Sequence, residues 1–308
     1  MSASLNVERA VRERYSDAAQ ARVEALCCPV EYNREFLKVI PAEVIERDYG
    51  CGDPSRYLRP SETVLDLGSG TGKICFIASQ VVGPAGRVIG VDMSDDMLAL
   101  ARKHQRAVAD AIGFHNVEFR KGRIQDLALD LEKLDADLRA HPITSAEGYL
   151  AAEARADELR LRQPLVATES IDVVVSNCVL NLVDQRSKHR LFSEIYRVLR
   201  NGGRAVISDI VSDKPVPQAM QNDPELWSGC ISGALTKEGF LQAFVDAGFS
   251  RVSVVKFELQ PWRVIQAVNF HSATVEAFKG KPARRFDGLI PRTAVSASGQ
   301  CCDPGKCC

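Results

Sequence analysis

Apolar residues run along this chain in short unbroken blocks separated by longer amphipathic stretches. "TVLDL" (63–67), "RVIGV" (87–91), "VEF" (117–119), "IDVVVS" (171–176) and "RAVISDI" (204–210) are apolar without strict alternation, which predicts strands covered on both faces. Between them, "RSKHRLFSEIYRVLRNGG" sets Leu191, Ile195, Val198 and Leu199 on one helical face and predicts a stop at Asn201-Gly202. Strands alternating with helices predict an α/β fold, a mostly parallel sheet with helices on both faces. Near the end, "RVSVVKFEL" (251–259) and "SATVEAFK" (272–279) alternate apolar and polar positions, as two later, less buried strands would.

Two segments leave this rhythm. Residues 1–62 are helix-forming and precede the first strand, so they read as an N-terminal cap or substrate segment. Residues 127–166 are a charged, helix-forming insertion, read as a solvated flap in preference to a lid over a ligand. The core domain then spans 63–280, and 281–308, ending in "CCDPGKCC", reads as a flexible cysteine-rich tail. No internal repeat is present. With 308 residues, 45% of them hydrophobic, the chain can build one large core. A net charge of −1 leaves no basic footprint for nucleic acid or an anionic membrane, and points to a small-molecule partner. No stretch approaches the roughly 20 apolar residues that span a bilayer, and the N-terminus has no apolar signal region. The cytoplasm is therefore the expected location, and in that reducing compartment the ten cysteines read as ligands, redox groups or core residues.

The strongest chemical signal is "VLDLGSGTG" (64–72). A strand ends at Asp66 and turns through Gly68, Ser69, Gly70, Thr71 and Gly72, at the sheet edge where open α/β folds bind ligands. The glycines run G-x-G-x-G with an acid two residues ahead, which favours S-adenosylmethionine over a dinucleotide. In "VIGVDMS", Asp92 ends the next strand and suits the two ribose hydroxyls, with Met93 beside it. Asp126, after the third strand, is the candidate for the adenine edge. Asn177 completes the expected cofactor set, and with Asn181 orders the loop after strand four.

An oxygen or nitrogen acceptor needs a base, usually histidine. None of His104, His115, His141, His189 and His271 sits at the carboxyl end of a core strand. Cysteine does sit there: Cys178 follows strand four, near Asp209 ending strand five, with Cys230 in "NDPELWSGCISGAL" and Cys51 in "DYGCGD". One such cysteine is most simply a small buried hydrophobe; three at glycine-rich or strand-end positions are not. Cys75, Trp227 and Trp262 read as core residues.

"YGCG", "SNCVLNL" and "GCISGAL" resemble the three cysteine motifs of the arsenite S-adenosylmethionine methyltransferases, and the resemblance spans roughly residues 45–280. It implies a class I methyltransferase domain and Cys51, Cys178 and Cys230 as both catalytic residues and ligands of trivalent arsenic. It also implies arsenite or a methylated arsenical as substrate and an external thiol reductant, thioredoxin or glutathione. Arsenic(III) is soft and carries a lone pair with no proton to remove, so the missing histidine base is consistent with it. The family often has a further upstream cysteine, for which "EALCCPV" offers Cys27 and Cys28. Two other readings remain open: a methyltransferase for an organic acceptor with structural cysteines, and a thiol-based metalloid-binding protein with little turnover.

Overall fold

The computed structural model describes residues 7–20, 30–47 and 49–280. Cys27, Cys28 and the 281–308 tail lie outside the described residues. An N-terminal helix α1 (Val7–Gln20) is followed by two short helices, α2 (Arg34–Leu37) and α3 (Ala42–Glu46), and a 3-10 turn over Pro54–Tyr57. Then come β1 (Thr63–Leu67), α4 (Lys73–Val82), β2 (Arg87–Asp92), α5 (Asp95–Ile112) and β3 (Val117–Lys121). The 127–166 insertion supplies α6 (Leu131–Ala140) and α7 (Ala146–Arg162), and β4 (Ile171–Asn177), α8 (Gln185–Val198) and β5 (Leu199–Ser212) complete the parallel core. Beyond it lie α9 (Gln218–Gln221), α10 (Pro224–Ser228), β6 (Leu235–Thr236), α11 (Lys237–Asp246), β7 (Ser250–Phe257), β8 (Arg263–Ile265) and β9 (Val268–Phe278).

The strands form one sheet in the order β3-β2-β1-β4-β5-β9-β7, with β6 and β8 attached at its margins. β3, β2, β1, β4 and β5 are parallel to one another, and β9 enters antiparallel between β5 and β7. Successive residues of the inner strands feed opposite faces. Val64, Val173 and Val175 pack with Phe76 and Val88 on one side, whereas Leu65, Leu67 and Val174 pack with Phe192 and Phe244 on the other. Two covered faces explain why these strands are apolar throughout.

Three expectations change in detail. α8 stops at Val198, short of Asn201-Gly202, because Leu199 takes extended geometry and pairs with Ile171 of β4. Sheet pairing here outweighs helical periodicity, and Gly202, at φ 82°, makes the turn inside the resulting strand irregularity. Asp209 therefore lies within β5, three residues before its end. β9 is not a marginal strand: Ala273, Val275 and Ala277 are buried, as its place between β5 and β7 requires. The insertion closes on itself, with Arg155 bound to Asp137 across the two helices at 2.7 Å and Leu165 and Val166 hydrogen-bonded back to Ala128 and Leu127. Its outer side is solvated, with Tyr149, Leu150 and Leu161 exposed.

Candidate active site

The register aligns the carboxyl ends of β1, β4 and β5: Asp66 pairs with Val175, Asn177 with Ser208, and Asp209 follows. A cavity of ≈ 280 Å³ opens along this edge. Its walls include Asp66, Gly68, Ser69, Gly70, Asp92, Met93, Asp126, Asn177 and Cys178. Thr71 and Gly72, expected with them, stand behind the wall: Thr71 is fully buried and its hydroxyl donates to the Val44 carbonyl at 3.0 Å, tying the loop to α3. Gly72 caps α4 in left-handed geometry.

The carboxylate of Asp92 accepts from the backbone N–H groups of Gly70 and Ser94, each at 2.9 Å. Burial pushes its pKa up, and those backbone donors, with Met93, pull the other way. Asp66 is buried and accepts from the thiol of Cys75 at 3.3 Å, and Cys75 is itself fully buried in the core with Phe76 and Val88. Ser69 Oγ, in the cavity wall, is buried with no hydrogen-bond partner. An orphaned hydroxyl beside a glycine turn and a strand-end carboxylate is a donor set that fits a polar nucleoside-bearing cofactor such as S-adenosylmethionine.

Two expected cofactor residues are already engaged. Asn177 Oδ1 accepts from the N–H groups of Cys51 at 2.9 Å and Gly52 at 3.0 Å, and its Nδ2 donates to the Gly52 carbonyl at 2.7 Å. Its amide thus shapes the "YGCG" loop. Gly50 is required for this approach, since a Cβ there would sit 2.1 Å from Asn177 Nδ2. Asp126 accepts from Arg160 of α7 at 3.0 Å and meets Arg190 of α8 at 2.7 Å, so its carboxylate is clamped between two guanidinium groups.

The cysteines gather beside the cavity. Cys51, Cys178 and Cys230 are each 5–6% exposed and share one apolar cluster with Trp227, Ile231 and Phe270. The sulfurs of Cys51 and Cys178 and a carboxylate oxygen of Asp209 all lie within 4.8 Å of one another. Cys230 stands next to this group, its thiol donating to the Cys178 carbonyl at 3.0 Å. Cys178 and Cys230 both hold left-handed backbones, φ 63° and 62°. Such geometry costs a non-glycine residue on the order of 1–3 kcal/mol and gathers at functional sites.

A model of the methyltransferase domain family matches residues 58–248. An arsenite methyltransferase of Halobacterium salinarum is 39% identical over 76% of this chain and 51% of its own length. That of Aquipseudomonas alcaligenes is 33% identical over 86% of this chain and 67% of its own. The chain belongs to the arsenite methyltransferase family. It spans about half the length of the Halobacterium relative. Among solved structures, an arsenic(III) S-adenosylmethionine methyltransferase from Chlamydomonas reinhardtii superposes with a TM-score of 0.62 at 29% identity, over 88% of this chain and 76% of that one.

Motif reading misses one residue of the cavity wall, Tyr15, and one buried cation near Asp209 and Cys230, Lys188. Tyr15 of α1 lines the cavity; burial first, then the neighbouring Cys230 and Cys178, hold its pKa well above the usual value. α1 is fixed over the site by Arg14, which donates to Ser228 Oγ at 2.9 Å, and by Glu8 on Arg123 at 2.7 Å. Lys188 of α8 is buried and donates to the Leu180 carbonyl at 2.8 Å; burial drops its pKa to about 8 against the raising charges of Asp209 and Cys230. Burial likewise raises Asp209 to about 6. No sequence pattern marks Tyr15. Lys188 has a faint one, a lysine one turn before the apolar face of α8.

Proposed function

We propose that this protein methylates trivalent arsenic with S-adenosylmethionine as methyl donor, and that Cys51, Cys178 and Cys230 hold the arsenic. The observation that carries this reading is the meeting of the three cysteines, from three separate segments, in one cluster whose member Cys178 lines the cavity built by the glycine loop and Asp92. Thiolates select a soft metalloid over hard ions. Ser69, Gly70 and Asp92 are the groups that would hold the cofactor, which when bound supplies an electrophilic methyl group.

The work of the protein is positioning. Arsenic held by thiolates beside the cofactor cavity would meet the methyl group in an effectively unimolecular attack. No proton leaves the nucleophile, so a histidine base is unnecessary. Methylation raises arsenic by two oxidation levels; two cysteine thiolates give up two electrons as a disulfide and return it to the trivalent state. A dithiol such as thioredoxin, or glutathione, then reduces the disulfide by exchange. Reduced cysteines suit a cytoplasmic protein, and among the described residues no helix is long and apolar enough to cross a membrane.

The test is incubation of the purified chain with S-adenosylmethionine, arsenite and a thiol, with speciation of the products. Methylated arsenicals that form only with all three components support the reading. Unchanged arsenite, with cofactor binding intact, refutes it.

A further inference from the structure

We propose that Cys51, Cys178 and Asp209 form a binding site for a divalent, borderline-soft cation, zinc(II) or cadmium(II), distinct in its ligands from the arsenic site although it shares two sulfurs with it. The three donor atoms lie within 4.8 Å of one another. Ligands on one tetrahedral zinc are roughly 3.5–3.8 Å apart, given metal–sulfur bonds of about 2.3 Å and metal–oxygen bonds of about 2.0–2.2 Å. An inward shift on the order of 1 Å closes the site.

Each donor is held in place by its own segment. The Cys51 loop is fixed through its N–H on Asn177 and its carbonyl on Ser272 Oγ, at 2.9 and 2.6 Å. Cys178 N–H donates to the Ser208 carbonyl at 2.8 Å. Asp209 Oδ1 accepts from Asn181 Nδ2 and from Ile210 N–H, both at 2.8 Å. The carboxylate is the discriminating element. A hard oxygen adds little for soft arsenic(III), whereas zinc takes thiolate and carboxylate together. Cys230 has the converse role, since its sulfur donates to the Cys178 carbonyl and stands outside the Cys51–Cys178–Asp209 group.

As the cation binds, two metal–sulfur bonds form, two thiol protons pass to water, and no electron moves. Two thiolates and the Asp209 carboxylate then balance the dication and the buried Lys188 ammonium. Cys178 lines the cavity, so water has access to the proposed site, as in zinc sites that keep an exchangeable water. The cation and arsenite exclude each other, and only this last point rests on the proposed function.

The experiment is cadmium-113 NMR on the reduced full-length chain, with zinc affinity measured by chelator competition. Any cadmium taken by the cysteines of "CCDPGKCC" would give all-thiolate signals, separate in frequency from a mixed sulfur–oxygen site. We expect one mixed-ligand resonance that is lost in Asp209→Asn and Cys51→Ser and retained in Cys230→Ser, with zinc affinity in Asp209→Asn down at least about tenfold. A wild-type spectrum with only all-thiolate signals, or a mixed signal that survives Asp209→Asn, overturns the site. Arsenite should displace the mixed signal; if cadmium stays in place while arsenite binds, the cation site stands and the assignment of arsenic to Cys51 and Cys178 fails.

Discussion

The thiol of Cys230 donates to the carbonyl oxygen of Cys178 across 3.0 Å, linking two residues 52 positions apart that both carry left-handed backbones. Backbone bonds hold each strained residue: Cys178 N–H to Ser208, and Cys230 N–H to Trp227. The sulfur of one cysteine is thereby tied to the loop that carries the other. In the proposed site, arsenic taking the Cys230 sulfur would have to exchange this bond, which couples the two cysteines.

From that coupling, Cys178→Ser and Cys230→Ser should each abolish arsenite methylation while cofactor affinity stays within about twofold of the parent. Their combination should be no worse than either alone, as for residues of one unit. Product speciation and calorimetry of cofactor binding check both halves. Full turnover by either single variant contradicts the site.

Gly50→Ala tests the loop instead of the sulfurs. A methyl group there would press on Asn177, whose amide holds the backbone of Cys51 and Gly52. The expected loss is about 1–3 kcal/mol of stability, with activity falling more than about tenfold. Adding Asn177→Ala removes the clash, so the double variant should be no less stable than Asn177→Ala alone. A fully additive cycle in urea unfolding would show that the two residues do not press on each other.

Asp92→Ala should weaken S-adenosylmethionine binding by about 1.5–3 kcal/mol, a factor of about 10–150, because it removes a charged acceptor and frees the Gly70 and Ser94 N–H groups it organises. Titration calorimetry reads this directly. Unchanged affinity would move the ribose away from the β2 edge.

What the sequence made legible was local. The glycine turn after β1, the acid ending β2 and the cysteine just after β4 are each written within a few adjacent residues, and the parallel register carries them to one edge. Asn177 and Asp126 were legible as polar groups near that edge but not in their partners. Asn177 meets a loop 126 residues away, and Asp126 is clamped by Arg160 from the insertion and Arg190 from α8. Tyr15 enters the cavity wall only because α1 folds back across the sheet edge, a tertiary fact that no periodicity encodes. The end of α8 was misplaced for a related reason: Leu199 satisfies the helical pattern as well as the strand, and only its pairing with Ile171 decides between them.

The buried pair behind the cysteines makes stability depend on pH in two opposite ways. Asp209 has a folded pKa of about 6, above the ordinary carboxyl value of 3.8, so between those values the folded state binds more protons and stability falls as pH rises. Lys188 is the reverse: its folded pKa of about 8 lies below the ordinary 10.5, so between those values the unfolded state binds more protons and stability rises with pH. Lys188→Met deletes the second contribution. The unfolding free energy of the parent relative to the variant should therefore increase from pH 8 to pH 10, as the parent sheds the cost of a buried ammonium. Removing that ammonium also takes away a charge that lowers the Asp209 pKa, so in the variant the acid-side fall in stability should extend to higher pH. Urea titrations at intervals from pH 4 to pH 10 measure both limbs. Parallel curves for parent and variant above pH 8 would mean that Lys188 keeps its proton throughout, and that burial does not control its charge.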